Sequence, residues 1–159
     1  MRTVLLLVLM MSISSSALAQ TQIGNFTYEA RLNPMTEDNV SHFYGIADDN
    51  SKLALVVKCL SDGLNVVLVH KRFSGDEDDQ ILVSHRFDKD DRVTTYWDVF
   101  PSHKSSRLPV GHITEFLRRA RTANQVVIRA TDPPDGETKT SVISLNGFGR
   151  ALDRLEGCR

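Results

Sequence analysis

The chain contains two cysteines, Cys59 and Cys158, and it begins with a segment that has the pattern of an export leader. Disulfides form and persist in the oxidising compartments that exported proteins reach, so these two residues are predicted to form one disulfide. Such a bond closes a loop of about 100 residues, which stabilises a fold by at most ~4 to 5 kcal/mol in the chain-entropy model. It constrains the fold strongly, because the middle of the chain must then lie beside its C-terminal end.

The N-terminal segment has the three parts of a cleaved secretory signal. Arg2 is its only charged residue, an apolar run extends from Val4 to Ile13, and Ala17-Leu18-Ala19 has the small-x-small pattern of a cleavage site. The apolar run is shorter than the roughly 20 residues that a membrane-spanning helix needs. We therefore expect residues 1–19 to be removed, residues 20–159 to form a single domain, and the protein to be periplasmic or secreted.

The charge balance limits the classes of partner. The chain has 19 basic and 20 acidic side chains, with a formal net charge of −1. Proteins that bind nucleic acid usually carry a strongly basic face, so no nucleic-acid partner is predicted. No second long apolar run follows the leader, and we expect no membrane span after signal cleavage.

Six segments in the first two thirds of the chain are predicted to be strands. In the third segment Leu53, Leu55, Val57 and Cys59 recur at a period of two, which places them on one face of a strand. Turn-forming pairs such as Asp62-Gly63 separate the segments, and such short connections favour an antiparallel meander. The predicted strands are Phe26–Leu32, His42–Ala47, Lys52–Leu60, Leu64–Lys71, Gln80–Phe87 and Arg92–Val99.

The pattern changes after residue 109. Apolar residues at helical spacing predict a helix over 113–123, and the last segment carries a second apolar stripe. Between them, Gln125–Ala130 and Thr138–Leu145 are predicted to form a final hairpin. The predicted fold class is α+β, a twisted antiparallel meander with one helix before the last hairpin, one C-terminal helix and a single disulfide. The two stripes are Ile113, Phe116, Leu117, Ala120 and Ala123, and Phe148, Ala151, Leu152, Leu155 and Cys158.

No motif in the sequence indicates a reactive group. The five histidines have neither H-x-x-x-H nor H-E-x-x-H spacing, and His70 and His85, which flank one predicted hairpin, supply at most two of the three or four ligands of a zinc site. No G-x-S-x-G elbow is present, and Ser84 points away from His85 on a strand. A triad assembled from distant residues stays open. We predict a protein without catalytic residues, metal or cofactor, and therefore not an enzyme.

Two acidic turns leave one alternative open. Alternate turns of a meander fall at the same end of the sheet, so their carboxylates are predicted to gather at one edge. Calcium takes several such oxygen ligands, although the EF-hand spacing is absent, and solvated loops are the competing interpretation. The carboxylates are Asp48, Asp49, Asp76, Glu77, Asp78 and Asp79.

Five residues form the predicted binding surface. Arg86 lies on one predicted strand, and Tyr96 and Trp97 lie on the next. An aromatic side chain beside an arginine is a common binding anchor, but a lone tryptophan is also a frequent core residue of a small domain. Lys104 and Arg107 lie in the polar segment 101–109, which is predicted to protrude as a loop.

The order of these features resembles the VasI-like family of type VI secretion-associated exported proteins. The resemblance extends from about Lys52 to Cys158 and implies an exported accessory protein. No catalytic residue is carried over, because the shared motifs contain none. The features are the strand ending in Cys59, Asp62-Gly63, Arg86-Phe87-Asp88, Trp97, Phe116-Leu117, and the closing Leu145-Asn146-Gly147-Phe148, Ala151-Leu152, Leu155 and Cys158.

These expectations lead to two classes of function. The first is a non-enzymatic accessory or binding protein whose partner is another protein of the cell envelope, with the resemblance implying an association with type VI secretion. The second is a periplasmic inhibitor of a cell-wall-degrading enzyme such as lysozyme, in which Lys104 and Arg107 lie on a loop that plugs the enzyme's cleft, since a rigid loop binds with little loss of entropy. A small hydrolase is a third alternative.

Overall fold

The computed structural model describes residues 20–49, 51–70, 73–155 and 157–158. The predicted leader, residues 1–19, lies outside the described residues. The described part contains ten strands and two helices, in the order β1 (Gln20–Ile23), β2 (Phe26–Glu29), β3 (His42–Ile46), β4 (Ala54–Leu60), β5 (Gly63–Val69), β6 (Gln80–Phe87), β7 (Val93–Val99), β8 (Ser105–Arg107), α1 (Val110–Ala120), β9 (Gln125–Thr131), β10 (Thr138–Ser144) and α2 (Phe148–Asp153).

All ten strands belong to one antiparallel sheet, which confirms the predicted α+β class. The strand order is β1-β2-β3-β4-β5-β8-β7-β6-β9-β10, with α1 before the last hairpin and α2 after it. The order follows the chain as far as β5 and then runs backwards through β8, β7 and β6 before β9. The reversal is possible because the connection between β5 and β6, residues 70–79, is long enough to pass two strand positions, each about 4.8 Å wide.

Two strands are absent from the sequence prediction. β1 has the polar sequence QTQI and three exposed residues, so it shows no apolar alternation. β8 has the sequence SSR and lies within the segment 101–109, which was predicted to protrude as a loop; that prediction is wrong for its second half. β8 pairs with both β5 and β7, because the backbone groups of any residue can complete a ladder without help from its side chain.

The apolar side chains of alternate strand positions form one core. On α1 the predicted stripe is buried at Ile113, Phe116, Leu117 and Ala120, and α2 buries Phe148 and Ala151. Both helices therefore cover the inner face of the sheet. Each fully buried large side chain of this kind contributes ~1.5 to 3 kcal/mol relative to an exposed one.

Three phenylalanines attach α2 to the first strands. Phe26, Phe43 and Phe148 meet edge to face, with ring centroids 5.2 to 5.5 Å apart. Gly45 leaves the room that Phe26 occupies, because a Cβ atom at this position would lie 2.6 Å from the Phe26 ring. The cluster thus depends on a residue without a side chain in the middle of β3.

The disulfide between Cys59 and Cys158 is present, as predicted. It joins the inner face of β4 to the chain after α2, with 5.5 Å between the two Cα atoms. The helix itself ends at Asp153 and is shorter than the apolar stripe, so Cys158 lies in a turn whose backbone N–H donates to the Leu155 carbonyl at 3.1 Å.

The two ends of the sheet approach each other although no ladder joins them. The Asn25 N–H donates to the Asn146 carbonyl at 2.9 Å, which joins the β1–β2 turn to the turn before α2. The Ser141 hydroxyl on β10 donates to the Asp49 carboxylate at 2.8 Å and contacts Ser51. The sheet is therefore curled around the core. Within the described residues, no helix has the length and apolar character that crossing a membrane requires.

Candidate functional site

Trp97 does not lie on a binding surface. Its side chain is 0 % exposed, and its indole N–H donates to the Thr95 hydroxyl at 3.1 Å. The ring meets Phe116 of α1 edge to face, with centroids 6.4 Å apart. Of the two interpretations of this tryptophan, the core residue is the correct one.

Tyr96 and Arg86 are exposed on the outer face of the sheet, but they lie far apart. Tyr96 is 51 % exposed and is paired with Leu82, four residues from Arg86 on the same strand. Four residues of a strand span about 13 Å. The predicted contact between an aromatic ring and an arginine on this hairpin is therefore not formed.

Lys104 and Arg107 belong to another part of the outer surface. Lys104 is exposed in the turn before β8, and its carbonyl accepts the His70 N–H at 3.0 Å. Arg107 is half-buried, and its guanidinium contacts the Asp62 carboxylate at 3.0 Å. Arg107 is paired with Asp98 near the end of β7, whereas Arg86 lies beside the start of β7, so the five predicted residues do not form one site.

The fold instead gathers three arginines around one groove on the outer face. Arg86 of β6 is opposite Val127 of β9, and Arg129 of β9 is opposite Ser84 of β6. Arg92 directly precedes Val93, which is paired with His85, so it lies beside Arg86. We call this feature the arginine groove; it has a volume of about 210 Å³ and is lined by Ser84, His85, Arg86, Arg92, Val127, Arg129 and Thr140.

Hydroxyl groups form the middle of the arginine groove. The Ser84 and Thr94 hydroxyls are 2.8 Å apart across β6 and β7. The Arg129 Nε–H donates to the Thr140 hydroxyl at 3.2 Å across β9 and β10. Arg129 therefore lies between two strands that carry hydroxyl groups. The polar side chains form a row across four adjacent strands, with Thr94 on β7, Ser84 on β6, Arg129 on β9 and Thr140 on β10.

No carboxylate is among the residues that line the groove, and Asp91, which precedes Arg92 in the β6–β7 turn, is not one of them. Among the described residues, no Asp or Glu oxygen lies within 4.0 Å of the guanidinium groups of Arg86, Arg92 or Arg129. Two carboxylates of the adjacent β6–β7 turn have other partners. Asp88 accepts the Asn124 and Gln125 backbone N–H groups, and Asp90 contacts Arg119 of α1 at 2.7 Å.

The charge and geometry of the groove suit an anion. A guanidinium presents a planar set of donors that matches a carboxylate or a phosphate, and two donors can bind one anion together. Like charges on neighbouring strands repel one another, so an anion bound between them relieves that repulsion.

His85 belongs to the core rather than to the groove's chemistry. Its backbone borders the groove, but its ring is buried against Phe87 and Phe116, at centroid distances of 5.6 and 5.1 Å. Burial lowers the pKa of His85 from 6.5 to about 4, with the positive charge of Arg119 as a further cause. His85 is therefore neutral at pH 7 and faces away from the outer surface.

His70 lies in different surroundings. Its Nε2 atom is 2.8 Å from the Ser106 hydroxyl, and its ring stacks on Phe73 at 4.7 Å. Burial, with the nearby Lys139 charge, lowers the pKa of His70 to about 4. His70 and His85 thus pack against separate aromatic side chains and supply no shared site.

The acidic turns use their carboxylates as acceptors within the turns. Hydrogen bonds from Ser51 and Ser141 lower the pKa of Asp49. The Asp76 carboxylate accepts the Asp78 and Gln80 N–H groups at 3.0 and 2.9 Å. Over the ranges that the structure describes, no three His, Cys, Asp or Glu side chains are placed together as metal ligands.

Sequence reasoning identified Arg86 but missed Arg92 and Arg129. Arg129 is about 40 positions further along the chain, and only the pairing of β6 with β9 brings it close. The sequence did contain a signal for the outer faces of these strands, which is the alternation of their residues. It places Ser84 and Arg86 on the same face of β6, and Val127 and Arg129 on the same face of β9. That signal does not say that the two faces are neighbours.

Comparison with solved structures gives a similarity in fold. No protein-family model and no curated protein matches the chain. Among solved structures, the chain is similar to invasion associated protein B from Bartonella henselae, with 15% identity and a TM-score of 0.58 over 86% of this chain and 95% of that chain. At this identity the similarity concerns the fold alone, and it shows that this chain has an architecture known from that protein.

Proposed function

We propose that this chain is an exported, non-enzymatic accessory protein that binds another protein of the cell envelope. The observation that carries the proposal is the arginine groove, an open surface of cations and hydroxyl donors whose lining, among the described residues, includes no carboxylate. The leader pattern and the disulfide support export, since a disulfide persists in an oxidising compartment. The sequence resemblance supports a link to type VI secretion.

The chemistry around the groove favours binding over turnover. A general base works best when its pKa lies near the working pH. The buried His70 and His85 have pKa values of about 4 and face the core. The residues that line the groove offer positioned guanidinium and hydroxyl donors, and no carboxylate is among them.

Fractionation and reconstitution test this proposal. The tagged full-length chain is expected in the periplasmic or secreted fraction with residues 1–19 removed. Its intact mass should show that these residues are absent and that the disulfide has formed. The mature, oxidised protein, immobilised and exposed to envelope extract, should retain a partner that can be purified and shown to bind in a saturable 1:1 complex. Cytoplasmic retention, or the absence of any saturable partner, would contradict the proposal.

A second candidate, an inhibitor of a cell-wall-degrading enzyme, is favoured by one exposed turn. The segment 101–104 joins β7 to β8 and is held by the Phe100 N–H, which donates to the Ser105 carbonyl, and by the His103 N–H, which donates to the Phe100 carbonyl. Lys104 is exposed on this turn. Inhibition of lysozyme at micromolar protein, abolished by Lys104→Ala, is the expected result, and full lysozyme activity at that concentration rejects this candidate.

A further inference from the structure

We infer that the arginine groove binds an extended acidic segment of a partner protein, with its carboxylates placed on Arg86, Arg92 and Arg129. The inference rests on the proposed function, because it names the chemistry that the bound protein presents. Nothing about the fold requires three arginines here, since their side chains are on the outer face and the core lies on the other side of the sheet.

The spacing of the arginines favours an extended segment over one compact anion. Arg86 and Arg129 are diagonal neighbours on paired strands, because their partners are Val127 and Ser84. Diagonal Cα atoms of an antiparallel pair are about 7 to 8 Å apart. Alternate side chains of an extended peptide lie on one face about 6.6 Å apart, so two acidic residues at positions i and i+2 match the two guanidinium groups.

Arg92 extends the same positive surface to the start of a third strand. It directly precedes β7 and lies beside Arg86 of β6, so the three arginines come from the start of β7, from β6 and from β9. A segment with several carboxylates can contact all three guanidinium groups through separate carboxylates. The Thr94 and Ser84 hydroxyls are hydrogen-bonded to each other between β7 and β6, which leaves one O–H donor for the backbone of such a segment.

Apolar side chains border the arginines and favour a peptide over a purely ionic ligand. Val142 is 47 % exposed beside Val127, its partner in the ladder, and Val127 lines the groove. Arginine is among the side chains that carry most binding energy at protein interfaces. The surface thus combines charge recognition with apolar contact area.

The test uses a labelled ten-residue peptide in which Glu alternates with Val, and the same peptide with Gln in place of Glu. The oxidised mature protein should bind the Glu peptide, with the affinity falling as salt rises because exposed ion pairs are screened. Binding of the Gln peptide should be weaker by about tenfold or more. The double variant R86Q/R129Q should lose binding of the Glu peptide to the same extent while keeping its disulfide and its thermal unfolding midpoint.

The matched control removes two arginines from the other side of the sheet. R118Q/R121Q makes the same change in net charge, and its arginines lie at the end of α1 in contact with Glu115 and Asp153. It should bind the Glu peptide like the unaltered protein. Equal losses in the two double variants would show nonspecific attraction and would overturn the inference.

Two competition experiments distinguish an acidic peptide from other anions. A third experiment distinguishes this inference from the proposed function. Inorganic phosphate and vesicles of phosphatidylglycerol with phosphatidylcholine are expected to compete poorly with the Glu peptide; preferential binding of either would overturn the inference in favour of a phosphate ligand. If an envelope partner is found and binds R86Q/R129Q as well as the unaltered chain, the proposed function stands and the groove is not its site.

Discussion

Gly24 and Gly147 face each other where the β1–β2 turn meets the turn before α2. Both have left-handed backbone, with φ of +61° and +90°. A Cβ atom on Gly147 would overlap the Ile23 carbonyl oxygen, and one on Gly24 would overlap the Asn146 carbonyl oxygen. The backbones of the two turns therefore pack directly against each other, at a separation that leaves no room for a Cβ atom on either residue.

Substitution of either glycine is expected to destabilise the fold. Gly147→Ala and Gly24→Ala combine an unfavourable φ with a steric overlap, and each should lower the free energy of unfolding by ~1 to 3 kcal/mol or more. Urea denaturation measures the change. Gly111→Ala is the matched control, because Gly111 lies in α1 with no atom within 4 Å of the new Cβ; it should be neutral or stabilising. Equal losses at all three positions would contradict the packing argument.

Loss of the disulfide is expected to lower stability without changing the fold. The bond between Cys59 and Cys158 closes a loop with a sequence separation of 99 residues. The variant C59A/C158A should lose ~2 to 5 kcal/mol of unfolding free energy. Reductant should destabilise the unaltered protein and leave the variant unchanged. Mass analysis without reductant should detect no free thiol, and two reactive thiols would contradict the pairing.

Trp97 is expected to report on the core. It is the single tryptophan of the chain, so its emission should be that of a buried indole and should shift to longer wavelength on unfolding. Trp97→Ala should cost ~3 to 5 kcal/mol, the usual loss for a buried aromatic side chain. Tyr96→Ala, at the exposed neighbouring position, should change stability by about 0.5 kcal/mol or less. A larger effect at Tyr96 would mean that the faces of β7 are assigned wrongly.

The buried histidines are expected to make the fold sensitive to mild acid. In the folded state the pKa of His85 is about 4, against 6.5 ordinarily, and His70 behaves alike. Between these two values the unfolded chain binds more protons, so stability falls as the pH is lowered from about 6.5 towards 4. Each histidine should contribute a loss of ~1 to 3 kcal/mol over this window.

His85→Leu tests the origin of that pH dependence. The variant removes one group that must be neutral in the folded state, so its unfolding free energy should fall less steeply between pH 6.5 and 4. Ile81→Val is the control, because it removes buried volume from the same strand but no titratable group, and it should leave the slope as it was. An unchanged slope in His85→Leu would assign the acid sensitivity to other groups.

Much of the secondary structure was predictable because it depends on neighbouring residues. The bounds of β6 coincide with the predicted strand, and its alternating residues are buried in turn. The stripe on α1 and the pairing of Cys59 with Cys158 also agree with the structure. β1 and β8 were not predictable from side-chain pattern, since their polar residues join the sheet through backbone hydrogen bonds alone.

The arginine groove was only partly predictable for a related reason. The polar faces of β6 and β9 could be predicted from the alternation of their residues. That Arg86 and Arg129 are neighbours depends on the pairing of β6 with β9, in a strand order that departs from the chain order. The choice between Tyr96 and Trp97 as the exposed residue also depended on the core, because the β7 sequence VTTYWDV has no regular apolar alternation.

The sequence by itself determined the local periods, the turns between them, the two helical stripes and the cysteine pair, because these follow from the spacing of residue types along the chain. Only the tertiary structure decided which strands are neighbours, which face of β7 is buried, and that Arg86, Arg92 and Arg129 share one groove. The physical reason is that a strand can hydrogen-bond to any other strand; its neighbours are selected by how the whole sheet curls to enclose the core, and no short segment carries that information.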